Sequence, residues 1–384
     1  MKKKIFIVTG TRAEYGLLYK LIKKLYFDRT LNSKIIATGM HLSKRYGNTY
    51  KEIINDGFKI YKKIDILDSS NTNLSISQSV GKGILSFSKF YQKEKPDLIV
   101  VLGDRFELMS IVIPANIQQI PVLHIGGGDL TYGSQDENIR HSITKMSWLH
   151  AVSNLESKRR VIQLGENPKN VFYCGSLGTE RIENFIKKSK QSIEKLLNFK
   201  FDQKNILITF HSVTHEKKSP KRDFSQILKA IKLLKNTKLI FTYPNSDANS
   251  KVIIDMINNF VSKNKNAVMF KSLGSNNYYS LMSYVDCVLG NSSSGVLEAP
   301  SFKIATINIG DRQKGRMQAK SIINCKPNKD LIIKSINHVY NENFKKIVKK
   351  VKNPYKANNC SNKIYKIIKK FKKPVNLKKD FYNL

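Results

Sequence analysis

"LGNSSSGVLEAPS", residues 289–301, decides the fold. The apolar run "YVDCVL" (284–289) leads into it. Gly290 and Gly295 bracket three consecutive serines, Ser292, Ser293 and Ser294, and a helix-like stretch with Glu298 follows. A short, continuously apolar run reads as a strand covered on both faces, as strands are in parallel sheets. A strand that turns through small residues into a helix is one half of a βα unit.

The same order recurs outward along the chain. "KIFIVT" (4–9) precedes "EYGLLYKLIKKLY", "KIIATG" (34–39) precedes a helix-like segment, and "DLIVVLG" (97–103) precedes "ELMSIVIPANIQ". "IPVLHIG" (120–126), "WLHAVS" (148–153) and "VFYCG" (171–175) complete a first set. After the polar stretch "TERIENFIKKSKQSIEKLL", a second set comprises "NILITF" (205–210), "KLIFTYP" (238–244), "AVMFKS" (267–272), "DCVLGN" (286–291) and "IATINIG" (304–310). We therefore expect an α/β protein with two doubly wound Rossmann-type domains and a cleft between them. The expected division is 1–185, 186–360 and a C-terminal helix and tail, 361–384, that crosses back to the first domain.

Composition narrows the function classes. A hydrophobic share of 41% is that of a globular chain. No apolar run reaches the roughly 18–20 residues of a membrane helix. The apolar stretch Ile5–Val8, followed by Arg12 and Glu14, is too short for a secretory leader and reads as a buried first strand. The expectation is a cytoplasmic protein with no membrane partner. Cys174, Cys287, Cys325 and Cys360 are scattered, without a CxxC pair, and read as reduced structural thiols with no metal site. The net charge of +38 invites a nucleic-acid reading. However, lysine outnumbers arginine about five to one, whereas base readers favour the bidentate arginine fork. The lysines are read as a solvated surface whose field recruits an anionic substrate, with no nucleic-acid partner.

Ligands of open α/β sheets bind beyond the carboxyl ends of the strands. There, "VTGTRAEYG" places Thr9, Gly10, Thr11 and Arg12 at a helix N-terminus, where free N–H groups hold phosphates. "GNSSSG" repeats the arrangement, so that serine hydroxyls and backbone N–H groups would grip a diphosphate while Glu298 accepts from ribose hydroxyls. A serine-rich N-cap is the alternative. Asp104 and Arg105 follow one strand. His124, Asp129, Asp136, Arg140 and His141 follow the next, and His211, Arg312 and Arg316 lie at strand ends of the second half. Each alone has an ordinary structural explanation. Together they point to an anion-binding catalytic cleft, since carboxylates and imidazoles move protons and arginines bind phosphates. The absence of GxGxxG, GxxxxGK[ST] and HExxH disfavours nicotinamide, P-loop and zinc-protease chemistry.

"GTRAEYG", "TGMHLS", "LGDRFE", "RHSITKMSWLH", "KRRVIQLGE", "GSLG", "FTYPNSD" and "GNSSSGVLEAPSFKIATINIGDRQKGR" together resemble the hydrolysing UDP-N-acetylglucosamine 2-epimerases, in order from about residue 5 to 325. The resemblance implies a GT-B-like fold, a homodimer or homotetramer, and no cofactor or metal. It implies elimination of UDP from a UDP-2-acetamido sugar, then hydration of the glycal with inversion at C2. By the same resemblance Arg12 touches the diphosphate, Ser292, Ser293 and Ser294 bind phosphate, Glu298 binds ribose, and Arg316 neutralises the leaving diphosphate. Arg105 lies on the sugar side. Asp104, Asp136 and His211 bind sugar and transfer protons, with Arg140 orienting the acidic cluster. "SLGSNNYY" (272–279), including Leu273 and Tyr278, holds uracil, and Asn245 lies near the nucleotide.

One departure stands out. Relatives often carry Glu or His at the position of Gly126, and Glu at that of Asp129. The expected substrate is UDP-N-acetylglucosamine, giving N-acetylmannosamine for sialic acid. A second is UDP-2,4-diacetamido-2,4,6-trideoxyglucose for legionaminic acid, since Gly126 and Asp129 would enlarge the pocket. A GT-B glycosyltransferase is a more distant alternative.

Overall fold

The alternation of apolar runs and amphipathic stretches folds into two parallel sheets in the computed structural model, which describes residues 2–68, 72–132, 135–183, 185–212, 220–244, 250–271 and 273–384. The first sheet contains β1 (Lys3–Thr9), β2 (Leu31–Thr38), β3 (Ile60–Ile64), β4 (Leu98–Leu102), β5 (Val122–Ile125), β6 (Leu149–Val152) and β7 (Val171–Tyr173), in the order β3-β2-β1-β4-β5-β6-β7. The second contains β8 (Lys204–Thr209), β9 (Thr237–Thr242), β10 (Ala267–Phe270), β11 (Cys287–Gly290), β12 (Ala305–Ile309) and β13 (Ile322–Cys325), in the order β10-β9-β8-β11-β12-β13. Every described strand pair is parallel. Both orders reverse direction once, at β1/β4 and at β8/β11, which is the signature of a doubly wound sheet.

The helices of the first half are α1 (Arg12–Tyr26), α2 (Tyr50–Asn55), α3 (Asn73–Glu94), α4 (Glu107–Ile117), α5 (Gln135–Met146), α6 (Leu155–Gln163) and α7 (Leu177–Glu183). Those of the second are α8 (Lys190–Leu197), α9 (Pro220–Ile231), α10 (Ser250–Lys263), α11 (Gly274–Met282), α12 (Ser293–Leu297), α13 (Lys329–Val339) and α14 (Glu342–Lys349), and the last helix, α15 (Cys360–Lys370), packs with the first half. The chain forms two compact units. One comprises Met1–Asp129, Asp136–Glu180 and Ala357–Leu384; the other comprises Leu130–Gln135 and Arg181–Lys356.

The period-2 geometry of a strand explains why β1 is apolar throughout. Ile5 and Ile7 enter the layer that contains Leu18, Leu21, Ile364 and Ile368, while Phe6 and Val8 enter the opposite layer with Phe87, Ile99 and Ile111. Each such side chain, fully removed from water, contributes about 1.5–3 kcal/mol. The second sheet is layered in the same way, with Ile206 and Ile208 on one face and Leu207 on the other.

The last segment returns to the first unit. Ile364 and Ile368 of α15 join the core beside α1, and Tyr365 Oη and Lys369 Nζ both bond Asp28 Oδ2 at 2.7 Å. Lys369, the leading cause, holds the Asp28 carboxyl below its usual range. Beyond the helix, Lys379 Nζ donates to the carbonyls of Lys145 and Ser147 and pairs with buried Glu166, while the Tyr382 N–H donates to the Gly165 carbonyl. The tail is thereby strapped to the turns that precede β6 and β7. No described helix is long and apolar enough to cross a membrane.

Two strands escape the sequence pattern, β3 and β13. Both are edge strands. "IYKKI" leaves three consecutive residues exposed and "IINC" is covered only at its end. Edge strands need no continuous apolar run, and charged side chains there prevent further pairing.

Candidate active site

In the first unit the chain reverses between β1 and β4, and the candidate residues Arg12, Asp104 and Arg105 follow these two strands. Thr11 caps α1, its Oγ1 accepting from the Glu14 N–H at 3.2 Å. The Gly10 N–H donates to Glu14 Oε2 at 2.8 Å. Arg12, on the open side of the turn, pairs with Glu52 at 2.8 Å. Behind the turn, His41 bonds Thr9 Oγ1 through Nε2 and Thr49 Oγ1 through Nδ1. Burial pushes its pKa down to about 4, so it is neutral and structural.

Asp104 and Arg105 follow β4. Arg105 is held by Glu107, with Nε at 3.1 and 3.3 Å from the two carboxylate oxygens and Nη2 at 3.2 Å from Oε1. Asp104 is 27% exposed and meets Arg140, whose side chain is 1% exposed. Arg140 Nε and Nη2 both donate to Asp104 Oδ2, the Nε bond at 2.9 Å. Its Nη1 donates to the Asp129 carbonyl at 2.7 Å and to Glu137 Oε2 at 3.0 Å. Burial disfavours the guanidinium charge, but Asp104, then Asp129 and Glu137, outweigh it and raise the Arg140 pKa. The result is one deeply buried cation that fixes the orientation of a half-open carboxylate. Asp136 stands beside Glu137 in the first turn of α5.

The loop after β5 is built on glycines. Gly126 has φ +87°, and a Cβ added there would meet only Leu102 Cδ1, at 3.9 Å. Asp129 is anchored, its Oδ1 accepting from Ser157 Oγ at 3.2 Å and Asn154 Nδ2 at 3.4 Å. His124 donates from Nε2 to the Gly103 carbonyl at 2.8 Å and bonds Thr144 Oγ1 through Nδ1. Burial takes its pKa down to about 4. It braces the loop and carries no exposed chemistry. His141 pairs with Glu137 Oε1 at 3.2 Å.

The second unit presents a different chemistry at its own reversal, β8/β11. Asn291 brackets the residue after β8: its Oδ1 accepts from the His211 N–H at 2.7 Å and its Nδ2 donates to the His211 carbonyl at 2.8 Å. The Asn291 carbonyl accepts from Gln313 Nε2 at 2.8 Å and Arg312 Nη1 at 3.1 Å. Burial, then the Arg312 charge, push the His211 pKa down to about 3, so its imidazole is neutral at pH 7. Ser292 is the N-cap of the short α12. Ser294 Oγ donates to Glu298 Oε2 at 2.6 Å and accepts from Tyr278 Oη at 3.0 Å, while Tyr279 Oη donates to Glu298 Oε1 at 2.9 Å. Burial raises the Glu298 carboxyl. The serine turn, Tyr278 and Glu298 therefore form one hydrogen-bonded group. The side chain of Leu273 packs into the core beside Leu207 and Leu281, which leaves its backbone as the part able to meet a base. Arg316 donates from Nε to the Leu130 carbonyl at 2.7 Å and from Nη2 to Thr131 Oγ1 at 3.0 Å. Asn245 lies outside the described residues.

Strand-end placement thus brings together Asp104, Arg105 and Arg140 in the first unit, and His211, Ser292–Ser294, Glu298 and Tyr278 in the second. Glu14, Glu107, Glu137 and Asn291 were missed, and Tyr279 was named only within the uracil stretch 272–279. Only Glu107, two residues after Arg105, carried a local hint. Among the described residues no His, Cys, Asp and Glu side chains gather as a metal-ligand set.

A family model for UDP-N-acetylglucosamine 2-epimerase matches residues 23–369. The chain is 44% identical over 328 residues to the GDP/UDP-N,N'-diacetylbacillosamine 2-epimerase (hydrolyzing) of Campylobacter jejuni, covering 85% of each chain. It is 40% identical over 384 residues to polysialic acid biosynthesis protein P7 of Escherichia coli, covering 100% of this chain and 98% of that one. The solved structure of the UDP-GlcNAc 2-epimerase from Neisseria meningitidis bound to UDP-GlcNAc shares the fold, with TM-score 0.81 at 20% identity over 97% of this chain and 100% of that one.

Proposed function

We propose that this chain, which belongs to the UDP-N-acetylglucosamine 2-epimerase family, hydrolyses UDP-2,4-diacetamido-2,4,6-trideoxyglucose with inversion at C2. The observation that carries this choice of sugar is the open space at Gly126. In our reading this position faces the sugar, and a missing side chain there leaves room for a 4-acetamido group. It also removes a polar group that would select a 4- or 6-hydroxyl, and a site built to bond a hydroxyl rejects substrates lacking it. The likeness to a diacetylbacillosamine 2-epimerase points the same way. N-acetylglucosamine is the second reading, favoured by the full-length likeness to a protein named for polysialic acid biosynthesis.

In the proposed reaction a carboxylate, Asp104 or Asp136, takes the C2 proton. The C1–O bond breaks with its electron pair leaving on UDP, and a C1=C2 double bond remains. Water then adds its oxygen to C1, while C2 is protonated from the opposite face. Arg140 holds Asp104 in one orientation, so little reorganisation accompanies proton transfer. Neutral His211 accepts or donates a hydrogen bond without adding charge. Arg12, Arg316 and the serine turn stabilise the charge that develops on the diphosphate.

The deciding measurement is kcat/KM with both UDP-sugars, run in D2O. We expect a clear preference for the diacetamido sugar, free UDP, and one deuterium at C2 of the product. A preference for UDP-N-acetylglucosamine removes the argument from Gly126. Protium retained at C2 removes the elimination mechanism.

The UDP side has its own test. Ser293→Ala and Arg316→Ala should each weaken UDP binding by about 1.5–3 kcal/mol, the worth of a hydrogen bond to a charged group. Unchanged affinity by calorimetry in both variants would contradict the assignment of that turn.

A further inference from the structure

Glu14 and Glu107 stand in the first turns of α1 and α4, the helices that leave the strand reversal of the first unit. None of the steps above uses them, yet both back the Gly10–Arg12 turn. The Gly10 N–H donates to Glu14 Oε2, and a Cβ built on Gly10 would meet that same oxygen at 3.5 Å. Gly39, at φ +56°, brings Glu107 against the turn from the other side: a Cβ there would lie 3.1 Å from the Gly10 carbonyl oxygen and 3.4 Å from Glu107 Cγ. Glu107 is 3% exposed and holds Arg105 through both oxygens. Two carboxylates and one guanidinium therefore stand together behind the turn, Glu107 buried and Glu14 and Arg105 half-buried.

Among the described residues, the following groups act most strongly on Glu14. Glu107 and Arg105 approach from the β4–α4 connection, and the Gly10 and Thr11 N–H groups come from its own turn. His41, after β2, is neutral. Arg12, on the same helix, pairs with Glu52 of α2.

We propose that Glu14 is a positioning residue that couples the charge behind the Gly10–Arg12 turn to nucleotide binding. Neutral, it holds the Gly10 N–H and leaves a turn that accepts an anion. Ionised, it sets a second carboxylate beside Glu107 and weakens the grip on the diphosphate. This rests on the reading of that turn as a diphosphate contact. Loss of hydration, then the Glu107 charge, push the Glu14 carboxyl up to about 7, so the change falls in the neutral range. Below it Glu14 is protonated and binding is favoured. Above it Glu14 is ionised, and binding an anion draws a proton back onto it.

The test is calorimetry of UDP binding at pH 6.5 and 8.5, in buffers of different ionisation heat. The terminal phosphate of UDP, with a second pKa near about 6, is mostly ionised at both. The expected result is affinity roughly three- to tenfold weaker at pH 8.5, with proton uptake on binding; a one-unit rise of the Glu14 pKa in the complex corresponds to tenfold. Glu14→Gln should remove both the slope and the uptake. A Glu14→Gln protein with the wild-type slope and uptake overturns the proposal. Should that variant not fold, Glu107→Gln serves, since removing the like charge must move the fall in affinity to lower pH; an unmoved midpoint overturns the proposal equally. If UDP binds the wild-type protein at neither pH, the diphosphate reading itself fails and the proposal goes with it.

Discussion

Asp104→Asn is expected to lower kcat by about 10²–10⁴-fold, the usual worth of a general acid or base, with UDP affinity near that of the wild type. The substitution keeps the shape of the side chain and an oxygen that can still accept from Arg140 Nε. What it removes is the ability to take a proton. Removing one partner of a buried ion pair can cost about 3–5 kcal/mol. Here Arg140 retains Glu137 and the Asp129 carbonyl, so the loss of stability should be well below that range and the melting transition should stay cooperative. Near-normal turnover would reduce Asp104 to a binder and move the base assignment to Asp136. His211→Ala is the companion variant. The bracket from Asn291 is made to the backbone of residue 211, so truncating the imidazole leaves it in place. A collapse of turnover there reports the ring itself.

The parts legible in the sequence were those that depend on one segment at a time. β1, β4 and β11 are continuous apolar runs because both sheet faces are covered, and the small residues after them mark the turns where ligands bind. Asp104 and His211 could be placed for that reason alone. The invisible parts depend on which turns the sheet order makes neighbours. Glu14 and Glu107 are 93 positions apart and meet because β1 lies beside β4. Asn291 brackets His211 because β11 lies beside β8. Arg140 could be suspected of organising carboxylates, but its grip on Asp104 depends on α5 reaching back over the end of β4. β3 and β13 were invisible for a simpler reason, since an edge strand has only one neighbour and need not be apolar throughout.

The serine turn also rests on an approach of two backbones, and that makes Gly290→Ala the most damaging small substitution we expect in the second unit. Gly290 closes β11 opposite Thr209 of β8. It has φ +136°, and a Cβ built on it would lie 1.9 Å from the Thr209 carbonyl oxygen and 2.8 Å from the Thr209 carbonyl carbon. No rotamer change relieves a clash with backbone, so the end of β11 must leave β8. That movement would carry Asn291 away from the Thr209 carbonyl, 3.2 Å from its N–H, and from His211. We expect a loss of about 4 kcal/mol or more, the range reserved for such disruptions. At about 2–4 °C per kcal/mol for a domain of this size, the melting temperature of the second unit should fall by about 8 °C or more, and UDP affinity should fall with it. Gly310→Ala is the control. It too has positive φ, +75°, but its Cβ would meet nothing within 4 Å. It should cost only the left-handed strain of about 1–2 kcal/mol. Equal melting temperatures for the two variants would show that the strands do not approach as closely as the β8/β11 register places them. A drop confined to Gly290→Ala, accompanied by loss of UDP binding, would tie the serine turn to the strand reversal that holds it.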